Sequence, residues 1–209
     1  MKMMNKFLIL LLSALSSPQS QAVVILNDTV VNADYPSSEI GRETYDFDVN
    51  NDGRTDWSII VSLSRFGSNG VNVQAAPTTG FIYQQLSLDD FALIIPLDAG
   101  TVIGSSLEDP ANIWYHGYGQ GLSSWANNQP FGSFYLQEGY LGFEFESDEG
   151  THYGYAYLES LSTERMRISQ VAWETEPGKA IQAGYVPEPS SSLLLILSIF
   201  MTLVQRKRV

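Results

Sequence analysis

The oxygen-bearing side chains best suited to chemistry lie in one short segment, residues 48–56, which reads DVNNDGRTD. Alternate residues of a tight loop aim their oxygens at one centre, and Ca²⁺ takes roughly six to eight oxygen ligands at about 2.3–2.6 Å. The predicted ligands are the side chains of Asp48, Asn50, Asp52 and Asp56, the last directly or through water, and the backbone carbonyl of Arg54. This spacing predicts a structural calcium site.

The surrounding residues distinguish this segment from a helix-flanked calcium loop. Gly53 supplies the sharp turn, but Ile59 stands at the position where an EF-hand has a bidentate glutamate. The flanking residues 44–48 and 57–61 alternate in polarity as strands do. The motif resembles the calcium loops set between strands in extracellular repeats such as integrin FG-GAP units, and extracellular sites bind Ca²⁺ at ~10⁻⁴ M or a little tighter. Asp46 is a candidate outer-shell partner, and a metal-free acidic hairpin turn is the alternative.

An aromatic-rich stretch, residues 114–135, is the second candidate site. Its aromatic residues are interleaved with Gly, Ser and Asn, and flat aromatic faces of this kind can stack on sugar rings. The stretch therefore favours a carbohydrate-binding module as the alternative function, although packing of long loops over a sheet edge would use the same side chains. The residues concerned are Trp114, Tyr115, His116, Tyr118, Trp125, Phe131, Phe134 and Tyr135.

Glu144 and Glu146 are the two residues that most resemble a catalytic pair. They stand two apart on a predicted strand, so their side chains share a face about 7 Å apart, which is a spacing that glycosidases use. The stretch approaches the Glu-x-Asp-x-x-Glu strand of sandwich glucanases, but Glu146 replaces the aspartate and residues 148–150 read as a turn. The alternative explanation is that both side chains lie on the solvent face of a half-exposed strand. The chain has two histidines, His116 and His152, and lacks nucleophile-elbow and HExxH motifs. We predict that the protein is not an enzyme, and a glycoside hydrolase is the third possibility.

Charge and composition narrow the classes of partner. The chain has 209 residues, with 11 Lys and Arg against 23 Asp and Glu, a net charge of −12. Five of the basic residues lie near the two ends, so the region between them carries 6 basic and 23 acidic side chains, a net charge of −17. Such a body repels phosphate backbones, which excludes nucleic-acid binding. The sequence contains no cysteine, which excludes disulfides and thiolate metal sites.

Residues 1–22 predict a secretory signal peptide. Two lysines form a basic start, residues 7–15 form an apolar run, and Ser20 and Ala22 place small residues at positions −3 and −1 of a cleavage site before Val23. The alternative is an N-terminal membrane anchor, for which the apolar run is short. We therefore expect export.

Residues 186–209 predict a membrane-sorting segment with a stiff tripeptide, an uncharged run at 190–204 and three cations. The tripeptide is Pro187, Glu188 and Pro189, and the cations are Arg206, Lys207 and Arg208. As a helix the run is about 22 Å long, short of the ~30 Å hydrocarbon core, so length alone favours a buried core helix. The cations that follow it instead favour a membrane helix with a cytoplasmic tail, with snorkelling and local thinning absorbing the mismatch.

The three parts in this order resemble the PEP-CTERM protein-sorting signal of exported bacterial proteins. The resemblance covers residues 186–209 and implies recognition by an exosortase, a membrane cysteine protease that cuts near the Pro-Glu-Pro. It also implies an association with exopolysaccharide or biofilm matrix, which the hosts of this family usually make. We therefore expect a protein that is held in the membrane by its C-terminal helix and reaches the cell surface or extracellular matrix after processing.

Residues 23–185 predict one β-rich domain, because polarity alternates with a period of two and long helical periodicity is missing. Many short strands separated by turns are typical of an antiparallel β-sandwich or jelly-roll-like fold. The predicted strands are 23–31, 44–49, 57–63, 71–75, 81–83, 91–95, 141–146, 153–159 and 166–173, the last with a bulge near Gln170. The sequence as a whole predicts a non-catalytic surface or matrix protein stabilised by calcium.

Overall fold

The computed structural model describes residues 22–32, 41–63, 69–85, 92–116, 120–126, 129–162 and 164–185, and the regular elements in these ranges are all β-strands. The strands of the first half are β1 (Ala22–Asn32), β2 (Gly41–Phe47), β3 (Trp57–Leu63), β4 (Asn69–Ala75), β5 (Thr79–Gln85), β6 (Ala92–Ile94) and β7 (Val102–Ile103). Those of the second half are β8 (Asn112–Tyr115), β9 (Gln120–Ala126), β10 (Gln129–Phe131), β11 (Glu138–Ser147), β12 (Gly150–Ser162), β13 (Arg165–Glu174) and β14 (Ile181–Gln182). The predicted all-β class is confirmed for these residues.

The strands form two large sheets and one small ribbon, and each pairing is antiparallel. The larger sheet has seven strands in the order β1-β13-β12-β11-β5-β6, with β8 also paired to β5. The smaller sheet has five strands in the order β10-β9-β4-β3-β2, and β14 pairs with β7 in the ribbon. The two large sheets share one apolar core, which is the arrangement of a β-sandwich.

A long hairpin of β11 and β12 forms the centre of the larger sheet. Its register runs from Glu138 opposite Glu159 to Ser147 opposite Gly150. Because successive side chains of a strand point to opposite faces, Phe143 and its alternate neighbours point towards the smaller sheet, whereas Glu144 points away from it. The predicted strands 141–146 and 153–159 are confirmed, and they pair across the predicted turn as the two arms of this hairpin.

The first apolar core lies between the two large sheets. Buried side chains of the larger sheet include Phe81, Leu141, Phe143, Phe145, Leu158 and Ile168, and those of the smaller sheet include Trp57, Ile59, Val61, Val71, Val73 and Leu122. Trp57 occupies the middle, with its ring centroid 6.3 Å from that of Phe81 and 5.8 Å from that of Phe143. Burial of each such side chain stabilises the fold by about 1.5–3 kcal/mol.

A second apolar cluster covers the opposite face of the larger sheet, which we call the outer face. Ile82 and Tyr155 of this sheet pack with Ile103 of β7 and Ile181 of β14. The Tyr155 hydroxyl donates a hydrogen bond to the backbone oxygen of Tyr185 at 2.7 Å, which fixes the last described residue onto this face. The ribbon and its loops therefore form a third layer, and the middle of the larger sheet is buried on both faces.

The strand predictions succeed where hydrophobic alternation is strong. β3 has both predicted ends, and the bulge predicted near Gln170 is confirmed, because consecutive residues of β12 pair with Gln170 and Ile168. The strand predicted at 44–49 ends earlier, at Phe47, because Asp48 leaves the ladder and accepts hydrogen bonds within the following loop. The seven-residue strand β9 and the short strands β7, β8, β10 and β14 were not predicted from the sequence.

The two predicted targeting segments lie outside the described residues, apart from the predicted cleavage site. Ala22 and Val23 are the first two residues of β1, and Ala22 pairs with Glu174. In the part of the chain that the structure describes, no helix is long and apolar enough to span a bilayer. The signal peptide of residues 1–22 and the sorting segment of residues 186–209 remain predictions.

Gly154 of β12 tests the tight packing of the larger sheet. A Cβ atom at this position would lie 2.4 Å from Cζ of Phe143 and 2.6 Å from the backbone oxygen of Ala172. Overpacking of this kind costs about 1–3 kcal/mol, so Gly154→Ala is expected to lower the free energy of unfolding by that amount in urea titrations.

Phe143→Leu provides the control because it removes the distal ring atoms and leaves the backbone of Ala172 in place. The double variant Gly154→Ala/Phe143→Leu is expected to lose less stability than the sum of the two single variants. Strict additivity, or a Gly154→Ala variant as stable as the unchanged protein, would contradict this packing.

Candidate functional site

The segment predicted to bind calcium, residues 48–56, is the loop that connects β2 to β3, and we call it the acidic loop. Its two ends are held together, since Phe47 pairs with Trp57 and the Asp56 N–H donates to the backbone oxygen of Phe47 at 2.8 Å. The rings of Phe47 and Trp57 stack with centroids 4.0 Å apart and planes 14° apart. The loop therefore begins and ends on a rigid strand pair.

The acidic side chains of the loop turn inwards and organise its backbone. The carboxylate of Asp48 accepts hydrogen bonds from the N–H groups of Asp52 at 3.0 Å and Gly53 at 2.8 Å. The Asp52 carboxylate accepts from the N–H of Arg54 at 2.8 Å. Asn51 and Gly53 have φ angles of 61° and 87°, in the left-handed region that Asn and Gly tolerate best. The composition of the loop therefore suits a tight turn lined with side-chain oxygens.

Asp56 is the buried acidic residue of the loop, with 6% of its surface exposed. Its Oδ2 atom accepts a hydrogen bond from the N–H of Val49 at 2.7 Å, and the Val49 side chain lies in the core between the sheets. Burial, with a smaller contribution from the nearby carboxylates of Asp52 and Asp48, raises the pKa of Asp56 to about 6, and the Val49 hydrogen bond opposes the shift. The loop thus holds a buried carboxyl group whose charged form is disfavoured by burial and by neighbouring carboxylates.

The structure brings the predicted ligands into one loop, but it does not arrange them as a finished metal site. Within the described ranges, no group of three or more His, Asp or Glu side chains has the placement of metal ligands. The oxygens of Asp48 and Asp52 instead accept the loop N–H groups. Asp46, the candidate outer-shell partner, accepts a hydrogen bond from the Ser58 hydroxyl at 2.6 Å.

The aromatic stretch divides between core and surface. Phe134 is fully buried in the core between the sheets, and Trp114 packs against the cluster on the outer face. Tyr115 is 40% exposed and lies 4.8 Å from the ring of Tyr83. The side chains of Trp125 and Phe131 and all of Tyr118 lie outside the described part. For Phe134 and Trp114, packing is the role that the structure gives.

Glu144 and Glu146 share the outer face of β11, but their environments differ. Glu146 is exposed as expected, whereas Glu144 is only 8% exposed, so the interpretation of this pair as a solvent face is wrong for Glu144. The Oε1 atom of Glu144 lies 3.1 Å from Nε2 of His116. Burial raises the pKa of Glu144, and His116 partly offsets the shift. Sequence reasoning missed this contact because His116 and Glu144 lie far apart in the chain.

The second histidine, His152, has a structural role. It is buried, its Nδ1 atom lies 2.8 Å from the backbone oxygen of Glu174, and its Nε2 atom lies 3.0 Å from Oγ of Ser147. Its ring stacks on that of Phe145 with centroids 5.3 Å apart. Both ring nitrogens therefore have partners, and the side chain joins the ends of β11 and β13.

Comparison with known proteins adds no assignment to these sites. No protein-family model, no curated protein and no solved structure matches the chain. The acidic loop and the sequence are therefore the sources of information on function.

Titration of Asp56 gives a test of the electrostatics of the loop. Because its folded pKa of about 6 exceeds the ordinary value of 3.8, protonated Asp56 stabilises the fold below about pH 4, and this stabilisation is lost as the pH rises to about 6. Asp56→Asn abolishes this titration and keeps an oxygen for the Val49 N–H. In metal-free buffer, the variant is expected to gain up to about 3 kcal/mol over the unchanged protein between pH 4 and pH 7.

Urea unfolding across this pH range measures the difference, and Asp109→Asn is the matched control. Asp109 also accepts a backbone N–H, that of Ala111 at 2.9 Å, but it is exposed. Its stability profile is expected to run parallel to that of the unchanged protein. A parallel profile for Asp56→Asn would refute a raised pKa at this position.

Proposed function

We propose that the protein is a non-catalytic exported protein of the cell surface or extracellular matrix, with a β-sandwich stabilised by Ca²⁺ in the acidic loop. The observation that carries the calcium proposal is the buried Asp56 carboxyl, which lies near the carboxylates of Asp48 and Asp52. Each of these groups would interact more favourably with a divalent cation than with the other two.

The side chains of the acidic loop suit Ca²⁺ by their chemistry. Carboxylate and amide oxygens are hard ligands that suit this ion, and Asp48, Asn50, Asp52 and Asp56 supply them from one turn. The hydrogen bonds from the Asp52 and Gly53 N–H groups already hold the Asp48 carboxylate against the loop backbone. The cation would offset both the cost of burying the Asp56 charge and its repulsion by Asp52 and Asp48, so its role would be to stabilise the fold and not to assist a reaction.

Export and sorting rest on the two ends of the sequence. The signal peptide would be cut between Ala22 and Val23, which leaves all but one residue of β1 in the mature domain. The segment of residues 186–209 would hold the protein in the membrane through its helix until an exosortase recognises Pro187, Glu188 and Pro189. The acidic domain would then reach the exopolysaccharide or biofilm matrix outside the cell.

A non-catalytic role agrees with the structural use of several titratable side chains among the described residues. His152 has both ring nitrogens engaged in hydrogen bonds, and Lys179 lies near the carboxylates of Glu174 and Glu176 at 3.8 Å and 3.7 Å. The Arg167 guanidinium pairs with Glu159 at 2.8 Å. These contacts join neighbouring strands and turns, which is a structural use of charge.

Thermal melts in EDTA and in Ca²⁺ test the proposed metal. With a dissociation constant of ~10⁻⁴ M, about 2 mM Ca²⁺ adds about 1.8 kcal/mol to the free energy of unfolding. For a domain of this size the melting temperature is expected to rise by about 4–7 °C over the value in EDTA.

Asp48→Asn and Asp56→Asn are expected to lose most of this rise, because each removes one charged ligand. Asp109→Asn serves as the control and is expected to keep the full rise. Identical melts of the unchanged protein in EDTA and in Ca²⁺ would remove the metal from the proposal and leave the acidic loop as a hairpin turn.

Fractionation of cells that carry an exosortase tests the sorting proposal. The full-length protein is expected in the membrane and a shorter form outside the cell, and replacement of Pro187, Glu188 and Pro189 by alanine is expected to abolish the shorter form. Replacement of Glu138 by glutamine, on the surface of the domain, serves as the control and leaves sorting unchanged. Full-length protein free in the cytosol would refute export.

A further inference from the structure

Three neighbouring strands of the larger sheet bring a buried carboxylate and an accessible imidazole together on the outer face. Glu144 of β11 lies opposite Gly80 of β5, and Phe81 lies opposite Tyr115 of β8. His116 therefore follows β8 at the level of Gly80, and its Nε2 atom reaches across that glycine to within 3.1 Å of the Glu144 Oε1 atom. We propose that Glu144 and His116 form a binding site for the hydroxyl groups of a neutral saccharide, a function beyond the structural role proposed above.

Gly80 makes the contact possible because it leaves the space between the two side chains empty. A Cβ atom at this position would lie 2.8 Å from Cε1 of His116 and 3.0 Å from Oε1 of Glu144. Any other residue at this point would push the imidazole away from the carboxylate. The site therefore depends on a glycine at position 80, because its lack of a side chain lets His116 and Glu144 meet.

Aromatic side chains form one wall of the site. Tyr153 of β12 lies opposite Glu144, and its ring centroid is 5.8 Å from that of Trp114. The Trp114 indole N–H donates a hydrogen bond to the backbone oxygen of Gly104 at 3.1 Å, which holds β8 against the loop after β7. Trp114 and Tyr153 pack closely on the sheet and shield Glu144 on that side.

The opposite side of the site is open to solvent. The His116 side chain is 50% exposed, whereas that of Glu144 is 11% exposed. Glu146 stands two residues further along the same face, about 7 Å away, and accepts a hydrogen bond from the Thr151 hydroxyl. A ligand that approaches from solvent would therefore meet an imidazole and an exposed carboxylate first and the buried carboxylate last.

The chemistry of these groups selects the class of ligand. Two carboxylates repel phosphates, sulfates and uronic acids, and the described residues hold no cluster of three acids or histidines placed for a metal. A carboxylate accepts several hydrogen bonds, an imidazole offers one donor or acceptor to a ligand, and sugar hydroxyls can satisfy both. An uncharged polyhydroxylated ring also brings donors to Glu144 without the cost of burying a second charge. This binding differs from stacking on exposed aromatic faces, since the Trp114 ring is committed to packing.

Titration of the intact domain with oligosaccharides tests the proposal. The probes are the neutral hexasaccharides of cellulose, laminarin and mannan and, as the anionic counterpart, hexagalacturonate. At least one neutral probe is expected to bind saturably in isothermal titration calorimetry, and hexagalacturonate is expected to show at least tenfold weaker binding. Glu144→Gln and His116→Gln are expected to weaken the neutral probe about tenfold or more, because each alters a hydrogen bond at the centre of the site.

Glu138→Gln is the matched control, because Glu138 lies on the same strand and face about 20 Å from Glu144. Its affinity for the neutral probe is expected to equal that of the unchanged protein, and thermal melts verify that each variant is folded. His116→Gln keeps the test decisive if Glu144→Gln fails to fold, since His116 lies at the surface. The proposal is overturned if no neutral probe binds, if both site variants bind as well as the control, or if hexagalacturonate binds as tightly as the neutral probe.

Discussion

The larger sheet has to be buried on two faces at once, and most of the architecture follows from this requirement. Phe143 and its alternate neighbours on β11 need the smaller sheet as a cover, while the tyrosines of β12 on the outer face need a cover of their own. The ribbon of β7 and β14 and the loops around it supply the second cover. The short strands β7 and β14 would be unstable alone, and they are held in place by the apolar surface that they cover.

The acidic loop and the end of β11 that carries Glu146 contact the same turn of the sandwich. The Asp56 backbone oxygen accepts the Ala76 N–H at 2.9 Å, and the Glu146 N–H donates to the Thr78 oxygen at 3.2 Å. The turn between β4 and β5 thus joins the acidic loop of the smaller sheet to the strand that carries Glu144. A cation in the acidic loop and a polyol on the outer face would occupy neighbouring positions around this turn.

The sequence predicted the fold class and the strands with strong alternation, because a buried face imposes a period of two that is visible in single residues. It also located the acidic loop, because all the predicted ligands lie within one short segment of the chain. It missed β8 and the pair of Glu144 with His116, because that contact depends on three strands that are remote in the chain. Gly80 is the clearest case of what the sequence could not predict. It matters because it leaves room for His116 to contact Glu144, and no local sequence pattern indicates that room.

The pairing of β1 with β13 joins the two extremes of the described domain. Ala22 lies opposite Glu174, so these partners are roughly 150 positions apart in the chain. Contacts of such long range slow folding, because a large loop must close before they form. During synthesis, β1 leaves the ribosome long before β13, its partner among the described strands of the larger sheet, exists. Completion of the larger sheet is therefore a late event in folding, because β1 must wait for β13 before it can pair.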